Sequence, residues 1–225
     1  MNITTAKARR KERVLECSHG GLPTFVATGG TTAVQLGAGI NEAPLIDMDP
    51  TLIGYFPKRT AKRPDWLKSP GVEEVCSVST CVSDDPDGWI ELWRHNAMSL
   101  FDTPELAWSA VPLPTRHEFD LYAYQLFPLE FDEGQPRLFT IPSLHVQPLP
   151  SSFERLGYDV VSRSHGSHFE CSPLSCNSMA EQTATNRYCL VDDAQTAFHF
   201  AAEFEAQGCE PGPYYVVEVW REVKT

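Results

Sequence analysis

Apolar positions recur along this chain with three different periods. Val72 to Val82 (VEEVCSVSTCV) alternates polar and apolar residues, which predicts a half-buried strand. Phe119 to Phe131 (FDLYAYQLFPLEF) is apolar at both parities and predicts an interior strand with a bend at Pro128. Gly157 to Arg163 and Tyr214 to Val223 (YYVVEVWREV) read as further strands, and Arg187 to Val191 and Ser99 to Phe101 as short ones. The helical period appears after Asp192, where Ala194, Ala197, Phe198, Ala201 and Phe204 form one stripe closed by Gly208. A second helix is signalled at Asp102-Thr103-Pro104-Glu105, with Asp as N-cap, Pro in the first turn and Glu three residues after the cap. Asp87 to His95 reads as a helix with Trp89 and Trp93 on one face, for core packing or, as the alternative, an exposed binding patch. Ser172-Pro173 opens a short helix reaching about Gln182.

The N-terminal part is less periodic. Residues 5–17 predict a charged helix stopped by Ser18 to Gly21, and Thr24 to Ala27 and Ala33 to Leu36 predict two short strands. The glycines between Gly29 and Gly39 lack the spacing of a dinucleotide fingerprint. Prolines at 44, 50, 57, 64 and 70 predict an extended covering segment. Residues 133–152 carry four prolines and predict a linker crossing the surface.

Laid without a gap over 186–197 (NRYCLVDDAQTA), residues 96–107 (NAMSLFDTPELA) match at Asn96/Asn186, Leu100/Leu190, Asp102/Asp192 and Ala107/Ala197. Each match has a structural reason: Asn for a turn, Asp for a helix cap, Ala for close helix–sheet packing. A strand is expected before each copy and a long aromatic strand after it. The expected fold is α+β: two similar strand-helix-strand-helix-strand units sharing a mixed, largely antiparallel sheet, with an N-terminal extension. The divisions are 1–70 for the extension, 71–132 for the first unit, 133–152 for the linker and 153–225 for the second. Neither unit is large enough for a good core alone, so they should share one and place a ligand cleft between them.

Charge narrows the partners. Residues 1–70 hold ten Lys or Arg against six acids, and residues 71–225 hold eight against twenty-four. So acidic a body argues against nucleic-acid binding, which is left to the basic N-terminal segments Lys7 to Arg13 and Lys58 to Lys68. The bland reading of those clusters is a solvated face. No apolar run suits a signal peptide or a membrane span. Seven scattered cysteines read as reduced thiols of a cytoplasmic protein.

Reactive groups concentrate between Arg163 and Asn186. If the protein is an enzyme, the candidates are His165, His168, Cys171, Cys176 and Glu218, in group transfer or hydrolysis with a cysteine nucleophile. If it binds a ligand, the candidates are Arg163, His165, His168, Asn177, Asn186 and Glu218. Zinc is set aside and no metal or cofactor is expected. Cys76/Cys81 and Cys171/Cys176 share a C-x4-C spacing. Residues five apart point to opposite faces of a strand and lie about 140° apart on a helix. The leading expectation is an acidic binding or regulatory protein that recognises a protein partner or small ligand at the cleft.

Overall fold

The computed structural model describes residues 48–79, 81–82, 94–163, 168–204, 207 and 209–224. The predicted helices at 5–17 and 87–95, the strands at 24–27 and 33–36, and His165 lie outside the described residues, wholly or for the greater part.

The sheet is built on β8 (Tyr214–Glu222), whose first six residues are buried whichever way they point. A strand covered on both faces needs a partner on each edge. β7 (Phe153–Ser162) runs antiparallel along one edge and β4 (Phe119–Leu126) along the other. β1 (Thr51–Arg59) pairs with the far side of β4. The chain bends at Phe127-Pro128 and continues as β5 (Leu129–Asp132), which pairs with β8 at Phe131 and makes a hairpin with β6 (Gln135–Leu138). Glu133 and Gly134 join that hairpin with φ 51° and 73°, the left-handed pair that suits strand twist. β2 (Ala61–Lys62) and β3 (Glu74–Val75) form a separate two-stranded ladder. Every pairing among the described residues is antiparallel, so the protein is α+β with an antiparallel sheet.

β1 falls within the segment expected to be extended cover. Pro57 is tolerated because the strand is at the edge. The Tyr55 N–H points away from β4, to the carbonyl of Phe101 at 2.8 Å, and Pro57, two residues on, has the same orientation. Its missing N–H removes no ladder bond. The predicted strand at 72–82 is regular only at Glu74–Val75. Beyond Val75 its main chain bonds to other partners: Cys76 N–H donates to the Tyr188 carbonyl at 3.1 Å.

Helix α1 (Pro104–Ser109) packs on β1 and β4, and α3 (Ala194–Glu203) packs on β5, β7 and β8. Their caps differ from expectation by one residue. Thr103 and Asp193 cap them, accepting from Leu106 N–H at 3.1 Å and Thr196 N–H at 2.8 Å. Asp102 and Asp192 are committed elsewhere, each accepting from an asparagine. The predicted helix at 172–182 is the single turn α2 (Pro173–Cys176), ended by Ser178 at φ 60° and followed by a 3₁₀ turn.

The loops Asn96–Phe101 and Asn186–Val191 carry the same hydrogen bonds. Asn96 Nδ2 donates to the Ile53 carbonyl at 2.8 Å and to Asp102 Oδ1 at 3.0 Å. Asn186 Nδ2 donates to the Leu156 carbonyl at 2.8 Å and to Asp192 Oδ1 at 2.9 Å. Each Oδ1 accepts two main-chain N–H groups, from Met98 and Leu100 in one loop and from Tyr188 and Leu190 in the other. Ser99 and Cys189 both take positive φ, 59° and 61°. Each loop lies against a bulge glycine, Gly54 (φ 146°) or Gly157 (φ 145°). A Cβ there would meet the Phe101 carbonyl at 2.9 Å or the Val191 carbonyl at 2.7 Å, so only glycine fits. Neither predicted short strand forms, because only Phe101 and Val191 bridge to β1 and β7.

Residues 139–150 cross the surface without regular structure, as their prolines predict. Phe139, Ile141, Leu144, Val146 and Leu149 lean on the core, and Tyr55 Oη holds the Gln147 carbonyl at 2.9 Å.

Candidate functional site

The candidate site starts from two charges inside the core. Lys58 on β1 is 3% exposed, and its ammonium donates to the carbonyls of Ser77, Val78 and Ser79 at 2.8, 2.9 and 2.7 Å. Asp159 on β7 is fully buried; it accepts from Ser77 Oγ at 2.6 Å, Val78 N–H at 2.9 Å and Ser172 Oγ at 2.7 Å. Burial pushes the Asp159 carboxyl up, and the hydroxyls of Ser77 and Ser172, the Val78 N–H and the Lys58 charge pull it back toward the ionised form. The Val78 N–H can only donate and both hydroxyls are able to, so the surroundings can satisfy an ionised carboxylate. Thus Ser77 ties Lys58 to Asp159, and residues 77–79 are pinned by side chains rather than by a ladder. Lys58 therefore does not belong to the solvated basic face expected at 58–68.

The pinning continues outward. Ser79 Oγ donates to the Glu170 carbonyl at 2.8 Å, and Cys81 N–H donates to Ser79 Oγ at 3.2 Å. On the other side, Glu170 and Cys171 pair with the end of β7: Glu170 N–H to the Ser162 carbonyl at 2.9 Å, Ser162 N–H to the Cys171 carbonyl at 2.8 Å. Ser172 spends its hydroxyl on Asp159, so α2 opens without a side-chain cap. The turn returns Cys176 toward Cys171, with Cys176 N–H bonded to the Ser172 carbonyl at 2.7 Å.

The result is a group of three thiols. The Sγ atoms of Cys81, Cys171 and Cys176 all lie within 4.8 Å of one another. Cys81 is exposed, Cys176 half-buried and Cys171 buried, so the group is open on one side. Two oxygens border it: the Glu170 carbonyl, 3.0 Å from Cys81 Sγ, and Asn177 Oδ1, 3.8 Å from Cys171 Sγ. Hydrogen bonding with Cys176 and Cys81, then burial, pushes the Cys171 thiol up. Cys176 is pushed up to about 12: a hydrogen bond with Cys171 favours its thiolate, but Cys81 and burial outweigh it. Both shifts favour the protonated thiols of Cys171 and Cys176.

The geometric objection to the C-x4-C pair at 171 and 176 fails here, because Cys171 precedes the helix and the 140° rotation does not apply to it. The pair at 76 and 81 stays apart: Cys76 is in the core, donated to by Tyr122 Oη at 3.7 Å.

The other predicted residues sit elsewhere. His168 is exposed and lines, with Phe56, Val78, Met98, Leu100 and Phe169, a water-sized cavity of about 20 Å³. Arg163 lays its guanidinium over Phe139, 5.9 Å from the ring centre. Asn186 is held in its loop. Glu218, 7% exposed, accepts from Trp220 Nε1 at 3.0 Å and faces Arg155 at 3.6 Å. Neither His168 nor Glu218 joins the thiol group. Sequence reasoning passed over Lys58 and Asp159, although a lone acid inside the apolar run YDVV and a lysine inside IGYFPK are signals of paired burial.

Among the described residues no helix is long and apolar enough to cross a membrane. No protein-family model, curated protein or solved structure matches the chain.

Proposed function

We propose that this is a binding or regulatory protein whose small ligand is held by the thiols of Cys81, Cys171 and Cys176. The observation that carries the reading is the convergence of three sulfurs from two segments about 90 residues apart, on a scaffold that uses two buried charges. A buried ammonium and carboxylate cost several kcal/mol each to desolvate, roughly, and hydrophobic residues would stabilise the core as well or better. Fixing the two loops against each other is a use that accounts for that cost.

The same reading takes the chain as two copies of one β/α unit. The matched bonds of Asn96 and Asn186 support it, and so does the strand register. Gly54 pairs with Tyr124, Gly157 pairs with Val219, and Tyr124 pairs with Val219. An approximate twofold axis through that last pair exchanges β1 with β7 and β4 with β8. The thiol group then lies between a segment of one copy and a segment of the other, in place of a deep cleft.

A nucleophilic enzyme is the weaker reading. Catalytic thiols need a depressed pKa, and hydrogen bonding among the thiols, with burial behind it, leaves Cys171 and Cys176 raised instead. Three reduced thiols this close survive in a reducing compartment, so the cytoplasm is the proposed location.

A trivalent arsenical tests the site, since phenylarsine oxide grips only thiols close enough to share one arsenic. The reduced native protein is expected to bind immobilised phenylarsine oxide and to elute with a competing dithiol. The double variant Cys81→Ser/Cys176→Ser, which leaves one thiol of the group, should pass through. Equal retention of wild type and double variant overturns the assignment.

A further inference from the structure

We propose that the ligand of the thiol group is a zinc ion, bound by Cys81, Cys171 and Cys176 with its fourth position open to water or an incoming ligand. This rests on the binding reading above and gives it a chemical identity. Zinc–thiolate bonds of about 2.3 Å in a tetrahedron set the sulfurs about 3.8 Å apart. The three Sγ atoms already lie within 4.8 Å of one another, so a cation draws them in by about 1 Å or less, within the reach of side-chain rotation. Two of the ligands come from one turn, Cys171 and Cys176 on either side of Ser172-Pro173, and the third from the loop pinned by Lys58 and Asp159.

The donor set narrows the metal. Three sulfurs exclude magnesium and calcium, which take oxygen ligands. Among thiophilic ions, copper(I) is satisfied by sulfur alone, whereas zinc is borderline and also takes nitrogen or oxygen. Oxygens do border the group, at the Glu170 carbonyl and at Asn177 Oδ1. Asn177 Oδ1, 3.8 Å from Cys171 Sγ, is suited to accept a hydrogen bond from a metal-bound water. Among the described residues the group offers three protein ligands, which leave one exchangeable position, the arrangement of an open site rather than a closed structural one. Cys81 is exposed, so the ion has a route in and an outside ligand has a route to the ion. On binding, each thiol gives its proton to solvent as its sulfur takes up the metal, so loading releases three protons.

The test is metal titration of the full, reduced protein with zinc against a chromophoric chelator, and with cobalt(II) as a spectroscopic stand-in. The expected result is one zinc per chain, and for cobalt a sulfur-to-metal charge-transfer band with the visible intensity of a tetrahedral site. Cys81→Ser and Cys176→Ser, at the two more accessible positions, should each weaken zinc by about 100-fold or more. Cys209→Ser, outside the group, should leave it unchanged. Copper(I) held tightly with zinc bound no better than by the variants overturns the choice of metal. So does zinc affinity that survives Cys81→Ser. If the arsenical grips the wild type while zinc does not bind, the zinc proposal fails and the thiol site stands; if neither binds, both fail.

Discussion

Lys58→Met is the perturbation that asks whether buried charge organises this site. Methionine keeps the length of the stem and removes only the ammonium. The structure sets what is lost: three hydrogen bonds of 2.7 to 2.9 Å, to the carbonyls of Ser77, Val78 and Ser79, from a group 3% exposed. Asp159, fully buried, loses a positive charge that favours its ionised form. Summed singly, hydrogen bonds from a charged donor are worth about 1.5–3 kcal/mol each, but such terms are not additive. Removing one partner of a buried pair costs roughly 3–5 kcal/mol, the figure to expect here. A domain has about 5–15 kcal/mol in all, so Lys58→Met should fold but be severely weakened. Urea unfolding at pH 7 measures the change as a fall in midpoint at constant slope. Asp159→Asn should also be destabilised, and the double variant should lose less than the sum of the two, by about 1 kcal/mol or more. A Lys58→Met change under about 1 kcal/mol, or strict additivity, refutes the reasoning. Either would mean that the ammonium reaches water and that residues 77–79 hold without it.

Two further effects follow from the matched loops and the helix caps. Gly157→Ala forces a Cβ into the Val191 carbonyl at φ 145° and should cost more than about 1 kcal/mol in thermal unfolding, with Gly54→Ala behaving alike; a neutral outcome at both would contradict the bulge geometry. Asp193→Ala should cost about 1 kcal/mol at pH 7 through loss of the α3 cap. The N–H and then the hydroxyl of Thr196 hold the Asp193 carboxyl below its usual range. A depressed carboxyl contributes stability that is present above its unfolded-state pKa and lost as pH falls through the folded one. The gap between wild type and Asp193→Ala should therefore narrow on acidification, and a gap that widens would reverse that sign.

The parts that could be read ahead of the structure were those whose signal is local. The run at 119–131 is apolar at both parities, and so is 214–217, because β4 and the first part of β8 are covered on both faces, and the stripe at 194–204 is the buried side of α3. β1 was hidden by its proline, since composition does not tell an edge strand from a loop. The strand expected at 72–82 failed for the opposite reason. Its alternation is genuine, but its carbonyls turn to Lys58 and its hydroxyls and amides to Asp159, partners 19 to 82 residues away. Asp102 and Asp192 look like caps, and only the asparagines six residues earlier reveal that their oxygens are taken. The thiol group was legible as residues and not as a site. Spacing rules assume a helix or a strand, and Cys81 and Cys171 lie in neither.

Cys81 lies fifteen residues before Asn96, and Cys171 lies fifteen before Asn186. On the proposed duplication these two thiols would occupy matched positions, one from each copy, and their approach would follow from the approximate twofold axis rather than from chance. Two thiols make a poor site for zinc. The third, Cys176, has Pro86 ninety residues before it, so on the same reading it would belong to one copy alone. It is delivered by the turn that Ser172 opens while bonded to Asp159. Lys58 and Asp159 are likewise unmatched: one stands on β1, the other on β7, and their counterparts in the strand register are Val161 and Phe56. A symmetric frame would bring two sulfurs face to face, and an asymmetric buried pair, joined through Ser77, would hold the loops that complete the set. On that reading the charged groups in the core and the third cysteine would be parts of one departure from symmetry, made where the two proposed copies touch.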